Sequence, residues 1–239
     1  MAERTIISKK ASNIRKMFDA IAPEYDKLNR LISFGLDSTW RKSAVKLVSR
    51  TGARHVLDLA AGTGDFTIAL SNAIPSARIV AADLSQNMLR EADRKFVERG
   101  MSQVSTVQCN ALHLPFKDNT FDAITCAFGV RNFSDLERGL GEMYRTLRPG
   151  GVAVILELCE PDRRISRGLY KLHAFGVIPV LGAVLGHNRK AYAYLPESIR
   201  RMPQRNGMKS IMEGIGFSRA SFKVFPPGVC AMYVAYKPL

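Results

Sequence analysis

The sequence has few cysteines, no uninterrupted apolar run of membrane-spanning length and no signal-peptide pattern, and each shortage excludes a class of protein. Its four cysteines form no Cys-x-x-Cys pair and lie in apolar runs, which predicts buried thiols rather than disulfides or a metal site. The N-terminus lacks the apolar core of a secretory signal. The most apolar stretch, residues 169–185, contains Lys171, His173 and Pro179, whereas a membrane span needs about 20 apolar residues. We therefore expect a cytoplasmic protein without a membrane span.

Acidic residues are also scarce, most of all toward the C-terminus. The net charge is +14, from 35 basic and 21 acidic side chains, and residues 162–239 carry 13 basic but only 3 acidic ones. A basic surface attracts nucleic acid or an anionic membrane, and charge alone cannot separate these partners. A solvated surface with no specific partner is the third alternative.

The segment between residues 55 and 65 reads as a buried strand, a glycine turn and a helix start, and the next apolar run ends in Asp83. Gly62 and Gly64 allow close backbone approach, and Asp83 lies 19 residues after Gly64, which suits a carboxylate that accepts ribose hydroxyls. A dinucleotide site usually has a third glycine, but here Asp65 follows, and an acidic helix start would repel a pyrophosphate. It suits the sulfonium and ammonium groups of S-adenosylmethionine (SAM). The sequence thus predicts a SAM site, with NAD or a strand-turn-helix without ligand as the alternatives.

Apolar runs alternate with helical patterns through the middle of the chain. The predicted strands are residues 56–59, 79–82, 104–109, 121–128 and 152–158. Ser85 is the predicted cap of one intervening helix, and Ser134 with Glu137 is a predicted capping box of another. Such alternation predicts a parallel, doubly wound α/β sheet, and a C-terminal hairpin around residues 226–228 adds an antiparallel last strand. This Rossmann-like arrangement is the one that SAM-dependent methyltransferases share.

We expect a single domain over residues 1–239 with two additions to the alternating core. Residues 1–50 are predicted to form an N-terminal helical cap, since Ile14, Met17, Phe18 and Ile21 follow helical spacing. Residues 160–205 do not follow the alternating pattern and are predicted to be a helical lid insertion. This segment is either a pair of core helices or an apolar cover over a lipid-like substrate.

Several motifs resemble the quinone C-methyltransferases of the demethylmenaquinone and ubiquinone pathways, over residues 18–237. The most specific are Tyr-Asp-x-x-Asn at 25–29, Phe-Gly-x-Arg-Asn at 128–132 and Tyr-x-Tyr-Leu at 192–195. The resemblance implies a seven-stranded class I methyltransferase fold and the methylation of a prenylated quinol ring carbon by SAM. The chain departs from the family pattern at four places, which are Leu112, the Glu-Leu-Cys at 157–159, His173 and the Pro-Pro at 226–227.

The expected cofactor residues are Asp58, Gly62, Thr63, Gly64, Asp83, Asn110 and Ala111, of which the resemblance implies Thr63, Asp83, Asn110 and Ala111. Asp83 would hold the ribose diol, and Asn110 with Ala111 would meet the adenine edge. Asp58 and Asp65 could favour the cationic methionine end. The structural alternatives are that Thr63 only satisfies backbone groups of the turn and that Asn110 only caps a strand end.

The acceptor end is less defined. Arg131 follows a central strand and could stabilise a phenolate, or it could belong to a structural ion pair. The candidates for a catalytic base, which the sequence cannot rank, are Tyr25, Asp26 and His173. The resemblance further implies substrate contacts, which we assign to Asn132, Tyr170, Tyr192, Tyr194 and Arg201.

The expected reaction is the conversion of demethylmenaquinol to menaquinol, with the benzoquinol step of ubiquinone biosynthesis as the alternative. An RNA methyltransferase is the rival of a different class, but residues 127–130 read Ala-Phe-Gly-Val instead of an Asn/Asp-Pro-Pro-aromatic motif. A scaffold without catalytic activity is the second rival. We expect no nucleic-acid partner and a reversible, peripheral contact with anionic membrane surfaces, and the sequence leaves a homodimer open.

Overall fold

The computed structural model describes residues 2–22, 25–33, 35–161 and 189–239. Its centre is one seven-stranded sheet with the spatial order β3-β2-β1-β4-β5-β7-β6. The strands are β1 His55–Leu59, β2 Arg78–Asp83, β3 Val104–Gln108, β4 Phe121–Ala127, β5 Leu147–Leu158, β6 Ser218–Phe225 and β7 Cys230–Tyr236. Strands β1 to β5 pair in parallel, and β7 runs antiparallel to both β5 and β6. The predicted doubly wound sheet with an antiparallel last strand is confirmed.

Helices cover both faces of this sheet. They are α1 Ala2–Ile21, α2 Tyr25–Ile32, α3 Leu36–Ser49, α4 Asp65–Ala73, α5 Gln86–Glu98, α6 Leu136–Thr146, α7 Arg189–Arg201 and α8 Asn206–Ile215. Side chains of α3 and α4 pack on one face, around Val56 and Val154, and those of α6 and α8 pack on the other, around Leu57 and Ile155. The central strands are therefore buried on both sides, which explains their nearly continuous apolar sequence.

Local signals set most helix boundaries. The predicted cap at Ser85 is confirmed, since its hydroxyl accepts a hydrogen bond from the Met88 amide at 3.2 Å. The predicted capping box at Ser134 is wrong. The helix begins one residue later because the Asp135 carboxylate accepts the Arg138 amide at 3.0 Å, and Asp135 is itself extended.

The predicted start of the fifth strand at residue 152 also needs correction. Leu147 already pairs with Phe121, after which the register shifts so that Val152 pairs with Ala123. The Pro-Gly-Gly turn between them is an irregularity inside β5 rather than a loop before it. Positive backbone φ at Gly150 accommodates this shift.

The N-terminal helices lie over the ends of the central strands. Phe18 of α1 and Tyr25 of α2 meet edge to face, with ring centroids 6.1 Å apart. Asp19 of α1 accepts a hydrogen bond from the Ser85 hydroxyl at 2.5 Å, which ties α1 to the start of α5. The described part of residues 1–50 is helical, while most of the predicted lid, residues 162–188, lies outside the described residues. No described helix is both long and apolar enough to cross a bilayer.

All four cysteines lie within the described ranges, and none of them forms a disulfide. Cys126, Cys159 and Cys230 are buried, as expected. Cys109 is only partly buried, and it lines the cleft described below.

Candidate active site

The carboxyl ends of β1, β2 and β4 open into a cleft of about 740 Å³, counting the solvent space at its mouth. In parallel sheets, ligands bind at this edge where the strand order reverses, and here it reverses between β1 and β4. Four predicted cofactor residues line the cleft, which are Gly62, Asp83, Asn110 and Ala111. Helix α1 contributes Ile14, Arg15 and Phe18, which the sequence did not mark as site residues.

Asp83, the last residue of β2, is fixed in the cleft by backbone groups. Its two carboxylate oxygens accept the Gly62 amide at 2.9 Å and the Ser85 amide at 2.8 Å. Burial raises the pKa of Asp83, while these amides act in the opposite direction. Additional hydroxyl donors from a bound ribose would favour the ionised carboxylate further.

Glycine occupies the two positions of the turn for different physical reasons. At Gly62, with φ 57°, a Cβ would lie in ordinary van der Waals contact with the Tyr25 ring, 3.6 Å away, so the positive φ rather than a clash favours glycine there. At Gly64, with φ 82°, a Cβ would come within 2.6 Å of the Phe96 ring on α5. The close approach that Gly64 permits is therefore that of α5, whereas Gly62 borders the cleft.

A smaller pocket of about 350 Å³ adjoins the glycine turn beneath helix α2. Asp58 borders it but is almost fully buried, and its carboxylate accepts hydroxyls of Thr67 at 2.6 Å and Thr125 at 2.9 Å. Burial raises the pKa of Asp58 to about 6, against the hydroxyl bonds and the charge of Arg41. Asp58 thus links β1, α4 and β4 at the base of this pocket.

The other acids of this pocket are already engaged. Asp26 of α2 accepts the Thr63 hydroxyl at 2.5 Å and the Lys95 ammonium at 2.5 Å. Lys95 also donates to Asp65 at 2.7 Å. The Thr63 hydroxyl is therefore bonded to the cap residue Asp26, and the Asp65 carboxylate is paired with Lys95 rather than left for a cationic ligand.

Asn110 follows β3 and combines a local role with its place in the cleft wall. Its side-chain oxygen accepts the Leu112 amide at 3.0 Å, which is the structural alternative considered for this residue. It still lines the cleft beside Ala111 and Cys109. The local bond orients the side chain and leaves the assignment to adenine a prediction.

Arg131 takes part in the buried ion pair that was its structural alternative. Its guanidinium donates to Glu157 at 2.7 Å and to the Phe128 carbonyl, and its amide donates to Glu157 at 3.2 Å. The two side chains are 8% and 0% exposed, respectively. Burial opposes the charge of Arg131, but Glu157 raises its pKa, and the phenols of Tyr25 and Tyr194 lie close enough to act on it.

Polar atoms without partners lie next to this pair. Among the described residues, Arg131 Nε and Asn132 Oδ1 are buried and accept or donate no hydrogen bond. Asn132 lines the cleft, whereas its amide nitrogen makes only a long contact, 3.5 Å, with the Phe128 carbonyl. Since buried polar atoms are rarely left unsatisfied, this corner of the site suits a polar ligand.

Two residues after the central strands have left-handed backbones, namely Ala60 with φ 56° and Phe128 with φ 60°. Such geometry is strained for an aromatic residue and concentrates at functional sites. The two segments can approach this closely because residue 129 is glycine, since a Cβ there would lie 2.5 Å from the Ala60 Cβ. The Phe128 ring packs on Trp40 and lies 5.6 Å from the Arg41 guanidinium.

The remaining predicted acceptor residues are spread over the cap and the lid. Tyr25 lines both pockets. Tyr194 is partly buried on α7, and burial raises its pKa. Arg201 is 74% exposed and pairs with Glu197 at 2.5 Å, so it lies on the surface rather than in a pocket. Tyr192 lies on α7 but its side chain is outside the described part of the chain, as are Tyr170 and His173.

The residues present fit SAM in two respects. A backbone-anchored carboxylate at Asp83 offers acceptors to a diol, and Gly62 borders the cleft without a side chain. The side-chain oxygen of Asn132, which has no partner among the described residues, lines the same cleft and suits a hydroxyl of the methyl acceptor. Sequence reasoning missed Arg41, Lys95 and Glu157, because each acts through a partner at least 26 residues away or through a ring contact.

Comparisons with known proteins agree with this geometry. A demethylmenaquinone methyltransferase from Thermus thermophilus is 44% identical over 93% of this chain and 100% of its own length. One from Bacteroides fragilis is 40% identical over 96% of this chain and 94% of its own length. The ubiquinone/menaquinone biosynthesis C-methyltransferase UbiE of Pseudoalteromonas translucida is 35% identical over 95% of this chain and 92% of its own length.

Solved structures share the fold at low sequence identity. The [4+2]-cyclase SpnF matches with a TM-score of 0.69 and 17% identity, over 95% of both chains. A Haemonchus contortus phosphoethanolamine N-methyltransferase, solved in complex with S-adenosyl-L-methionine, matches with a TM-score of 0.60 and 16% identity, over 82% of this chain and 52% of that one. These likenesses concern the fold alone.

The strand order and the cleft at the ends of β1, β2 and β4 show the fold, and the sequence identifies the family. The family model described as the ubiE/COQ5 methyltransferase family matches residues 6–237, nearly the whole chain. The expected methyltransferase is thereby confirmed, and the chain belongs to the ubiE/COQ5 methyltransferase family.

Proposed function

We propose that the protein methylates a ring carbon of a prenylated quinol, with SAM as donor, and that its main acceptor is demethylmenaquinol. The observation that carries the proposal is that one cleft is lined both by the backbone-anchored Asp83 and by Asn132, whose side-chain oxygen has no partner among the described residues. The relatives from Thermus and Bacteroides, both demethylmenaquinone methyltransferases by name, support the acceptor.

At the donor end the chain binds and orients. Asp83 would accept the ribose hydroxyls, and Asn110 with Ala111 would meet the adenine. When bound, SAM supplies an electrophilic methyl group on a sulfonium. The two residues with strained backbones, Ala60 and Phe128, would lie between the donor and the acceptor. Their fixed positions would help to align the methyl group with the ring carbon, which lowers the entropic cost of the reaction.

At the acceptor end the chain would promote ionisation of a ring hydroxyl. Carbon methylation requires electron density next to a ring hydroxyl, and a phenol with a pKa near 10 must lose or share its proton to supply it. The positive charge of Arg131 would favour the ionised hydroxyl, and Asn132 Oδ1, which has no partner among the described residues, would accept a hydrogen bond from a second ring hydroxyl. The Glu157 carboxylate holds Arg131 in this position, because it accepts hydrogen bonds from both the guanidinium and the backbone amide of Arg131.

The base remains a choice between two described residues and one outside the described ranges. Tyr25 lines the cleft and lies near Arg131, so we favour it over Asp26, whose carboxylate is tied to Thr63 and Lys95. His173 stays a prediction. Replacing Tyr25 by phenylalanine removes the hydroxyl and keeps the ring, and turnover should fall while SAM affinity stays within about twofold.

The head group can be tested with the purified protein. Labelled SAM is offered with demethylmenaquinol and with a ubiquinone-pathway benzoquinol of the same prenyl length, both held reduced. We expect methylation of the naphthoquinol at least about tenfold faster. Equal rates would extend the function to both pathways, as the name of the Pseudoalteromonas relative suggests for that protein, and transfer to RNA but to neither quinol would overturn the proposal.

We further propose a reversible contact with anionic membrane surfaces, where a prenylated acceptor resides. Exposed Arg15 and Lys16 on α1 and Arg200 and Arg201 on α7 supply basic side chains, and Arg15 also lines the cleft. Co-sedimentation with vesicles should rise with anionic lipid and fall with salt. Binding that ignored both variables would contradict the proposal. A cytoplasmic location and a homodimer remain predictions from the sequence.

A further inference from the structure

Lys95 is a nearly buried cation that neither the sequence motifs nor the proposed chemistry uses. It lies on α5, its side chain is 11% exposed, and its ammonium reaches two carboxylates on two other helices. One is Asp26 of the cap helix α2, at 2.5 Å, and the other is Asp65 at the start of α4, at 2.7 Å. Both partners are 30% exposed, so the group is partly shielded from water.

The position of this group distinguishes it from an ordinary surface bridge. Asp26 and Asp65 both line the pocket beside the glycine turn, while Lys95 lies behind that wall. The second oxygen of Asp26 accepts the Thr63 hydroxyl, and Thr63 lies between the two glycines of the turn. A single ammonium therefore fixes a cap residue, a turn residue and a helix start around one end of the pocket.

Helix α2 depends on contacts with the rest of the fold for its position. Helix α2 is only eight residues long, and an isolated helix of that length is not stable in water. Its Tyr25 and Asp26 cover the glycine turn, with the Tyr25 ring 3.6 Å from where a Cβ of Gly62 would lie. Any ligand seated against the turn is covered by this helix, and the Asp26 carboxylate is its charged link to the body of the fold.

We propose that Lys95, Asp26 and Asp65 form a clasp that holds α2 closed over the glycine turn and thereby sets how fast the donor site releases its ligand. Asp26 and Lys95 are positioning residues, and Asp26 is not the catalytic base. This inference rests on the proposed donor site, but it concerns the closure of the cap and not the identity of the acceptor.

The primary test measures dissociation. Labelled S-adenosylhomocysteine is bound to the full chain and chased with unlabelled ligand, for the wild type and for Lys95→Met. We expect release about tenfold faster in the variant, because a charge-assisted link to the cap is lost. The matched control is Arg94→Met, the neighbouring residue on α5, whose ion pairs with Glu91 and Glu98 stay within that helix. Its release rate should stay within about twofold of the wild type.

A second variant distinguishes loss of the Lys95–Asp26 ion pair from a general loss of stability. Asp26→Asn should accelerate release about as much as Lys95→Met, and the double variant should be no faster than either single one. Multiplying effects would show that the two residues act independently and would overturn the clasp. So would wild-type release rates in both single variants.

Hydrogen exchange of the ligand-free protein gives a readout that needs no ligand. In Lys95→Met, amides of residues 25–32 should exchange about tenfold faster, while those of residues 36–49 in α3 serve as an unchanged reference. Unaltered exchange in α2 would overturn the clasp. If the wild type bound no S-adenosylhomocysteine, the proposed function would fail, and exchange in α2 would still decide the clasp by itself.

Discussion

The donor and acceptor ends of the cleft differ in how completely the protein satisfies its own polar groups. At the donor end, Asp83 is held by amides of Gly62 and Ser85, and Asp26 has Thr63 and Lys95 as partners. At the acceptor end, Arg131 Nε and Asn132 Oδ1 are buried without partners among the described residues. The donor end is thus preorganised by hydrogen bonds within the protein. At the acceptor end, polar atoms have hydrogen-bonding capacity that a ligand can satisfy.

The two ends also differ in how far their ion pairs are withdrawn from water. At the donor end, the side chains of Asp26 and Asp65 that pair with Lys95 are each 30% exposed. At the acceptor end, the paired side chains of Arg131 and Glu157 are only 8% and 0% exposed. A buried pair of this kind is costly to break on one side only.

The largest effect is expected from breaking that pair. Arg131→Met leaves the Glu157 carboxylate buried without a counter-charge, which should cost about 3–5 kcal/mol of unfolding free energy in urea titrations. The double variant Arg131→Met/Glu157→Gln should recover much of this loss. It should still turn over about 100-fold more slowly while its SAM affinity stays within about twofold. Equal losses of binding and turnover would place Arg131 in the donor end.

The pH dependence of stability tests the donor side. The folded-state pKa of Asp58 is raised from 3.8 to about 6 by burial, so the folded protein holds this proton more tightly than the unfolded chain does. The resulting stabilisation is present below pH 4 and is lost as the pH rises to about 6, which amounts to about 3 kcal/mol.

Asp58→Asn removes this titration and keeps the side-chain shape. The difference in unfolding free energy between the variant and the wild type should therefore shift in favour of the variant from pH 4 to pH 7. The comparison cancels other groups, such as Asp122, whose pKa is lowered by hydrogen bonds and Arg148 despite some desolvation. A difference that stays constant with pH would show that Asp58 titrates normally.

Removal of the Asp83 carboxylate tests the donor end as a binding site. Asp83→Ala should weaken SAM binding about 100-fold in calorimetry, because charge-assisted bonds to a diol are lost. Circular dichroism should still show the native fold. The control is Asp93→Ala on α5, an acid whose partner Thr106 lies on the protein surface. Unchanged affinity in Asp83→Ala would refute the assignment to ribose.

The two glycines give the smallest expected effects and separate packing from binding. Gly64→Ala should cost about 2 kcal/mol of stability, because a methyl group would meet Phe96. Gly62→Ala causes no clash and costs only about 1 kcal/mol through its positive φ. It should weaken SAM binding more than Gly64→Ala does, since relief of that φ would displace the amide that holds Asp83 at the cleft wall. The reverse ranking in binding would exchange their roles.

The alternation of apolar strands and helical patterns was sufficient to predict the sheet, because each βαβ unit encodes its own local periodicity. The glycine turn and Asp83 could be predicted for the same reason, since one strand-turn-helix unit and the end of the next strand contain them. The start of α6 at Asp135 instead of Ser134 shows the limit of this approach, because two adjacent residues can both cap a helix.

The sequence by itself determined the fold, the donor turn and the family, because these depend on residues close together in the chain and on motifs that can be read in order. Only the tertiary structure decided that Arg131 pairs with Glu157, that Asp26 is held by Lys95 and that the side-chain oxygen of Asn132 has no partner within the described ranges. These facts depend on which buried side chains meet across elements 26 to 69 residues apart. Distance in space and desolvation, which no linear pattern encodes, set those pairings.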